Sequence, residues 1–155
     1  MQDGGAADGP VPRRSARVIL LDPAGRVLLL RFRLTRGGRP FEFWATPGGG
    51  VEPGEGDQDA ALRELDEELG LAVPLTGPVH YFESTFEVDG RHWFGQDVFF
   101  SASCASDAPR FIGGTEPEER AALQEMRWWT VPALEKTADS VYPPDLARVV
   151  RRLTS

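Results

Sequence analysis

"TPGGGVEPGEGDQDAALRELDEELGL", residues 46–71, sets three consecutive glycines and two prolines beside a run crowded with carboxylates. Glycine lets backbone N–H groups approach an anion closely, because no Cβ stands in the way. The glutamates around these glycines would repel the same anion. The stretch therefore reads either as an acidic turn or as one half of a site completed by a cation. From Asp57 onward the composition predicts a helix: Asp57 stands where a cap belongs, Ala, Leu, Glu and Arg fill the turns, and Gly70 stands where helices commonly end. At about 100° per residue, Ala61, Leu62, Leu65 and Leu69 share one face suited to a core. Glu64, Glu67 and Glu68 gather on another face, their Cβ atoms about 5–6 Å apart, where like charges destabilise a bare helix. Asp66, Glu52 and Glu55 add to the crowd, and Arg63 is the only nearby counter-charge. A solvated acidic face would look like this. So would a site for a hard divalent ion, which takes carboxylate oxygens, water and phosphate and needs neither histidine nor cysteine.

Spacing separates the two readings. From Gly49 there are five residues to Glu55 and seven more to Arg63-Glu64, followed by Leu65, Asp66, Glu67-Glu68, Leu69, Gly70 and Leu71. This resembles the Nudix box, G-x5-E-x7-R-E-U-x-E-E-x-G-U with U bulky and apolar, and every fixed position is filled. Seven fixed letters and two apolar classes at set offsets are far more specific than a lone glycine motif. The lead-in Trp44-Ala45-Thr46-Pro47-Gly48 and the Val51-Glu52-Pro53-Gly54 segment are similar to members of the same family.

The resemblance implies an α/β fold, an α/β/α sandwich with a mixed β-sheet, and a hydrolase cleaving a nucleoside diphosphate linked to another group by attack of water on phosphorus. Nucleoside triphosphates, oxidised ones included, are one substrate class it allows; nucleotide sugars and dinucleoside polyphosphates are another, and a nucleotide-sensing domain without turnover is a third reading. It implies Mg²⁺, with Mn²⁺ as a substitute, held by Glu64 and Glu68, with Glu67 sharing or bridging a second ion and the Gly48 carbonyl completing a shell. Glu55 is expected to act through water or behind the direct ligands. Arg63 is expected to orient a box carboxylate, the alternative being an ordinary helix ion pair. Relatives recruit a further glutamate from outside the box, and "GGTEPEERAAL" offers Glu116, Glu118 and Glu119, of which Glu116 is the choice. Signatures of subfamilies acting on NADH, coenzyme A or ADP-ribose are not found, while "FEVDGRHWFGQDVFF" with "EMRWWTV" is similar to a group of bacterial Nudix hydrolases.

The rest of the chain fits one domain. With 155 residues, 41% hydrophobic and 26% charged, it has room for a single core. Residues 1–13, rich in Gly, Ala, Asp and Pro, read as a mobile tail, and 14–155 as the domain. A net charge of −7 argues against a nucleic-acid polymer or an anionic membrane as partner and leaves a small nucleotide. No window approaches the roughly 20 apolar residues of a membrane span. The start "MQDGGAADGP" has no basic and apolar leader, so a cytoplasmic location is expected. A homodimer is the assembly common among relatives. Cys104, the single cysteine, reads as a half-buried structural residue near a strand end.

Turn chemistry at Asp22-Pro23-Ala24-Gly25 between two apolar runs predicts a hairpin over 16–33, and Asp89-Gly90 predicts a second. A short aromatic strand precedes the glycines. "TEPEERAAL" is a loop or short helix, "QEMRWWTV" a strand and "PPDLARVVRRLTS" a terminal helix. Arg31, Arg33, Arg36 and Arg39 form a basic patch that could hold a distal phosphate, of which Arg31 and Arg33 are the candidates. Phe41, Phe43, Trp44, Phe82, Phe86, Trp93 and Trp128 or Trp129 are available to stack on a base, with Trp44 the candidate. Each of these aromatics also fits a strand's core-facing alternation.

Overall fold

The two apolar runs around Asp22 fold as the expected hairpin in a computed structural model that describes residues 9–88, 90–113 and 117–155. β1 (Val11–Leu21) and β2 (Val27–Arg36) meet at a turn fixed by the Asp22 carboxylate, which is buried. It accepts hydrogen bonds from the Ala24 and Arg26 backbone N–H groups at 3.0 and 2.8 Å, from Arg26 Nε at 2.7 Å and from Ser106 Oγ at 3.0 Å. β1 and β2 share one ladder pair, Leu21↔Val27, and then part.

What fills the gap between them shapes the molecule. β1 lies parallel to β6 (Arg91–Ser103) from Val11↔Trp93 to Leu21↔Ser103, and β6 pairs antiparallel with the edge strand β5 (Thr76–Val88). On its other flank β1 takes β4 (Gly48–Gly50), with Gly48 opposite Arg17. β2 pairs antiparallel with β3 (Arg39–Ala45) on one side and β7 (Leu123–Trp129) on the other, and β8 (Val141–Tyr142) adds parallel to β3.

Helices cover both faces. Ala60, Ala61, Leu65 and Leu69 of α1 (Asp57–Leu69) pack on Ala16, Val18, Leu20, Leu28, Leu30, Val98 and Phe100. The alternate residues Ile19, Val27, Leu29, Trp44, Phe99 and Trp129 face Leu134 of α3 (Val131–Lys136) and Leu146, Val149 and Val150 of α4 (Leu146–Thr154). Full burial of each of these leucines and isoleucines is worth about 1.5–3 kcal/mol. The result is the expected α/β/α sandwich on a mixed sheet. α2 (Pro117–Ala122) leads into β7. Among the described residues no helix is long and apolar enough to cross a membrane.

Several details differ from the sequence expectation. The tail was expected to reach residue 13, but Val11–Arg13 already pair with Trp93–Gly95. Asp57 is not the cap of α1: Gly56 occupies that position, and Asp57, the first helical residue, binds the Arg14 guanidinium through both oxygens. Leu62 is only half-buried, and its expected place in the core is taken by Ala60. The glycine stretch forms a strand rather than only a turn. α3 was not anticipated, although Thr130, whose hydroxyl accepts the Ala133 N–H at 3.2 Å, and Pro132 two residues on mark its start. The expected second hairpin forms, but Asp89 lies outside the described residues.

Candidate active site

Where β1 and β2 part, a cleft of about 520 Å³ opens between the two halves of the sheet. Its floor is the β4 glycines with Glu64 and Glu68 of α1. These two glutamates are not on a solvated face: their exposures are 5% and 2%. Burying a carboxylate is costly unless donors meet it, and the local sequence supplies them. Gly48 N–H donates to Glu68 Oε1 at 2.9 Å, and Arg63 Nη1 donates to Glu64 Oε2 at 3.0 Å.

The glycines are needed for space. Gly48 has φ +143°, and a Cβ there would lie 2.4 Å from the Ala16 carbonyl oxygen and 2.6 Å from Arg17 Cα. A Cβ on Gly49 would lie 2.7–2.8 Å from all three atoms of the Glu64 carboxyl group. The missing methyl is the seat of that carboxylate.

Arg63 ties the box together. Nε and Nη2 donate to the two oxygens of Glu55 at 2.8 and 3.0 Å, Nη2 also to the Gly50 carbonyl at 3.0 Å, and Nη1 to Glu67 Oε1 at 3.4 Å. These contacts are more than a single helix ion pair, and the planar fork that makes them suits the orienting role expected of Arg63. The Arg63 hydrogen bonds, with the Glu52 N–H at 3.0 Å, hold the Glu55 carboxyl down to a pKa of about 2, and Glu55 in turn raises that of Arg63. Glu55 is thus a poor proton acceptor and a good anchor for Arg63.

The donor set fits a hard divalent ion in one manner and not another. Among the described residues no three acidic, histidine or cysteine side chains gather tightly enough to cage a metal. Mg²⁺, however, is commonly held by one or two carboxylates together with water and substrate phosphates. Two buried carboxylates over a glycine cradle, opening into a cleft, match that pattern. Gly48 contributes through its N–H to Glu68. Glu67 is more exposed, at 26% of its side chain, and is turned to Arg63.

The walls are aromatic. Phe32, Phe41, Phe43 and Tyr142 form one side, with Phe32 and Phe41 each stacked on Phe43 at 5.4 Å. Phe82, Phe86 and Trp93 form the other, and Gly95 makes room for it, since a Cβ there would lie 2.9 Å from the Phe86 ring. Arg13, Ser15, Arg17 and Asp97 complete the floor.

Three sequence candidates are displaced by strand alternation. Phe32 and Leu34 of β2 line the cleft, so Arg31 and Arg33 fall on the opposite face, where Arg31 pairs with Glu125 at 3.0 Å and Glu42 at 3.2 Å and Arg33 lies 4.0 Å from Glu42. Trp44, 2% exposed, belongs to the core beneath α4, edge-on to Trp129 at 5.1 Å with its Nε1 donating to Asp139. Glu116 lies outside the described residues. Cys104 is half-buried, and burial pushes its thiol pKa up, away from nucleophilic use. Arg17 and Asp97 were not singled out from sequence, although Arg13, Ser15 and Arg17 stand at period two in β1, the spacing of one strand face.

A family model described as NUDIX domain matches residues 11–153. An RNA pyrophosphohydrolase of Caulobacter vibrioides is 32% identical over 151 residues, covering 88% of this chain and 80% of the relative. An RNA pyrophosphohydrolase of Erythrobacter litoralis is 34% identical over 98 residues, covering 55% of this chain. The chain spans 57% of that protein's length and 23% of an octanoyltransferase from Myxococcus xanthus that it also matches. The crystal structure of a MutT NUDIX hydrolase from Burkholderia pseudomallei aligns over 93% of this chain and 98% of its own with a TM-score of 0.62 at 24% identity, a likeness of fold.

Proposed function

The chain belongs to the NUDIX domain family, and from that premise we propose that it is a divalent-metal-dependent pyrophosphohydrolase acting on a nucleoside diphosphate linked to another group, nucleoside triphosphates first among them. One observation carries the reading: a single cleft joins the buried Glu64 and Glu68 carboxylates to two facing aromatic walls. A flat base between Phe43 and Phe86 or Trp93 would gain about 1–3 kcal/mol of stacking, and its phosphates would reach the floor.

Glu64 and Glu68 would hold the ion, Gly48 and Gly49 set where those carboxylates stand, and Arg63 keeps Glu64 and Glu67 in place through its anchor on Glu55. Bound Mg²⁺ would offset diphosphate charge and lower the pKa of the attacking water. Glu67, the most exposed box carboxylate of the three on α1, is the candidate to take the water's proton, with Glu116 the alternative. The net charge of −7 favours a small nucleotide over an RNA end.

The test is product analysis over nucleoside triphosphates, nucleotide sugars, dinucleoside polyphosphates, ADP-ribose and a 5′-triphosphorylated RNA, in Mg²⁺ and in Mn²⁺, beside Glu68→Gln. Turnover of a small nucleotide that needs the metal and falls at least about 100-fold in Glu68→Gln is expected, the scale of losing a group that places a reacting partner. Nucleotide binding without turnover under any metal would replace the hydrolase with a sensor.

A further inference from the structure

We propose that Arg17 binds an anionic oxygen of the substrate on the cleft floor and that Asp97 is the residue that positions it; this deepens the hydrolase reading and rests on it for the identity of the ligand. The argument begins with strand register. Asp97 of β6 stands opposite Ser15, two residues before Arg17, so the Arg17 side chain reaches Asp97 diagonally across the parallel pair, with Nε 3.4 Å from Oδ2. On the other flank Arg17 Nη1 donates to the Thr46 carbonyl at 3.1 Å. Tethers from β6 and from the segment entering β4 thus fix the guanidinium plane across three neighbouring stretches of chain.

Among the described residues Arg17 Nη2 makes no hydrogen bond. Both side chains line the cleft and keep about a fifth of their surface exposed. Arg17 is also adjacent to the acidic end of the site: a Cβ on Gly48 would lie 2.8 Å from Arg17 Cγ, and that same glycine donates to Glu68. A guanidinium with an unused donor, held rigid between aromatic walls and beside two carboxylates, is shaped for a phosphate oxygen. A strut would be better served by a buried pair whose every donor is used.

Binding of ADP and of GDP, each compared with its nucleoside by quenching of tryptophan fluorescence with and without Mg²⁺, tests this. Arg17→Gln, which keeps most of the stem and loses the charge, is expected to weaken both diphosphates by about 10- to 100-fold and both nucleosides less than about twofold. Arg17→Lys should recover part of the loss. Asp97→Asn should weaken the diphosphates in the wild-type background and do nothing further in Arg17→Gln. Unchanged diphosphate affinity in Arg17→Gln, or equal loss of diphosphate and nucleoside, would overturn the assignment, and so would additive effects of the two substitutions. A wild-type protein that binds diphosphates in this pattern but turns none over removes the hydrolase and leaves the Arg17 assignment standing; one that binds none overturns both.

Discussion

The adjacent glycines Gly48 and Gly49 should fail in opposite ways when each is changed to alanine. At Gly48 the new methyl meets backbone: the Ala16 carbonyl oxygen at 2.4 Å and Arg17 Cα at 2.6 Å, with φ at +143°. Backbone in a central strand cannot step aside, and the conformation itself disfavours an L side chain, so Gly48→Ala should cost at least about 1–3 kcal/mol. For a domain of this size that is a fall in Tm of at least several degrees. At Gly49 the methyl meets the end of a side chain instead. Ordinary contact at 3.4 Å requires the Glu64 carboxyl to retreat by about 0.7 Å, a distance that a rotamer adjustment supplies. That retreat loosens the 3.0 Å hydrogen bond from Arg63 and moves a proposed metal ligand off its position. Misplacement on this scale costs up to about 100-fold in rate. Gly49→Ala should therefore fold with a Tm close to wild type and lose about 10- to 100-fold in kcat/KM, read by thermal unfolding and by steady-state turnover of the same preparations. If Gly49→Ala melted as early as Gly48→Ala while its folded fraction kept full turnover, the seat of Glu64 would not matter and the reasoning would be refuted.

Other perturbations have equally definite directions. Arg63→Lys keeps the charge but not the fork that spans Glu55, Glu64 and Gly50, and a loss of about 10- to 100-fold in metal affinity or turnover is expected; near-normal kinetics would reduce Arg63 to a helix ion pair. The Glu55 carboxyl is depressed to about 2 from an ordinary 4.5, so the stability it contributes is full above pH 4.5 and is lost as pH falls through about 2. Denaturant midpoints of wild type and Glu55→Gln should therefore differ by a constant amount at neutral pH and converge towards pH 2; a gap that widened on acidification would reverse the sign. Trp44→Ala should destabilise by about 3–5 kcal/mol as a core truncation, while Phe43→Leu should leave the melting point nearly unchanged and raise KM for nucleotides. If Trp44→Ala raised KM with no change in Tm, the ring would contact substrate after all.

The box was legible because its information is local: Gly49, Glu55, Arg63, Glu64, Glu67 and Glu68 lie within one loop and one helix, and their offsets survive folding unchanged. Strand residues do not have that protection. Arg31 and Phe32 are neighbours in sequence but face opposite sides of β2, and only the register with β3 and the parting from β1 decide which side is the cleft. Of the basic patch read from composition, Arg31 and Arg33 therefore landed on the far face while Arg36 lines the cleft, and Trp44, next to Phe43, went the way of Arg31. Arg17 and Asp97 were invisible for a related reason: 80 positions separate them in the chain, and the parallel pairing of β1 with β6 that joins them has no local signature. The carboxylates of α1 depart from helix amphipathicity in a more instructive way. Amphipathic reading sorts carboxylates outward, yet Glu64 and Glu68 share the buried face with Leu65 and Leu69. Such burial is made tolerable in part by Arg63 of the box and by the N–H of Gly48 just before it. A residue placed against its own solvation preference, with partners dedicated to holding it there, is where local consistency has been given up for chemistry. The same test applies to Arg17: a charged side chain among the apolar positions of β1, held from two sides, is out of place in a core strand and in place beside a phosphate.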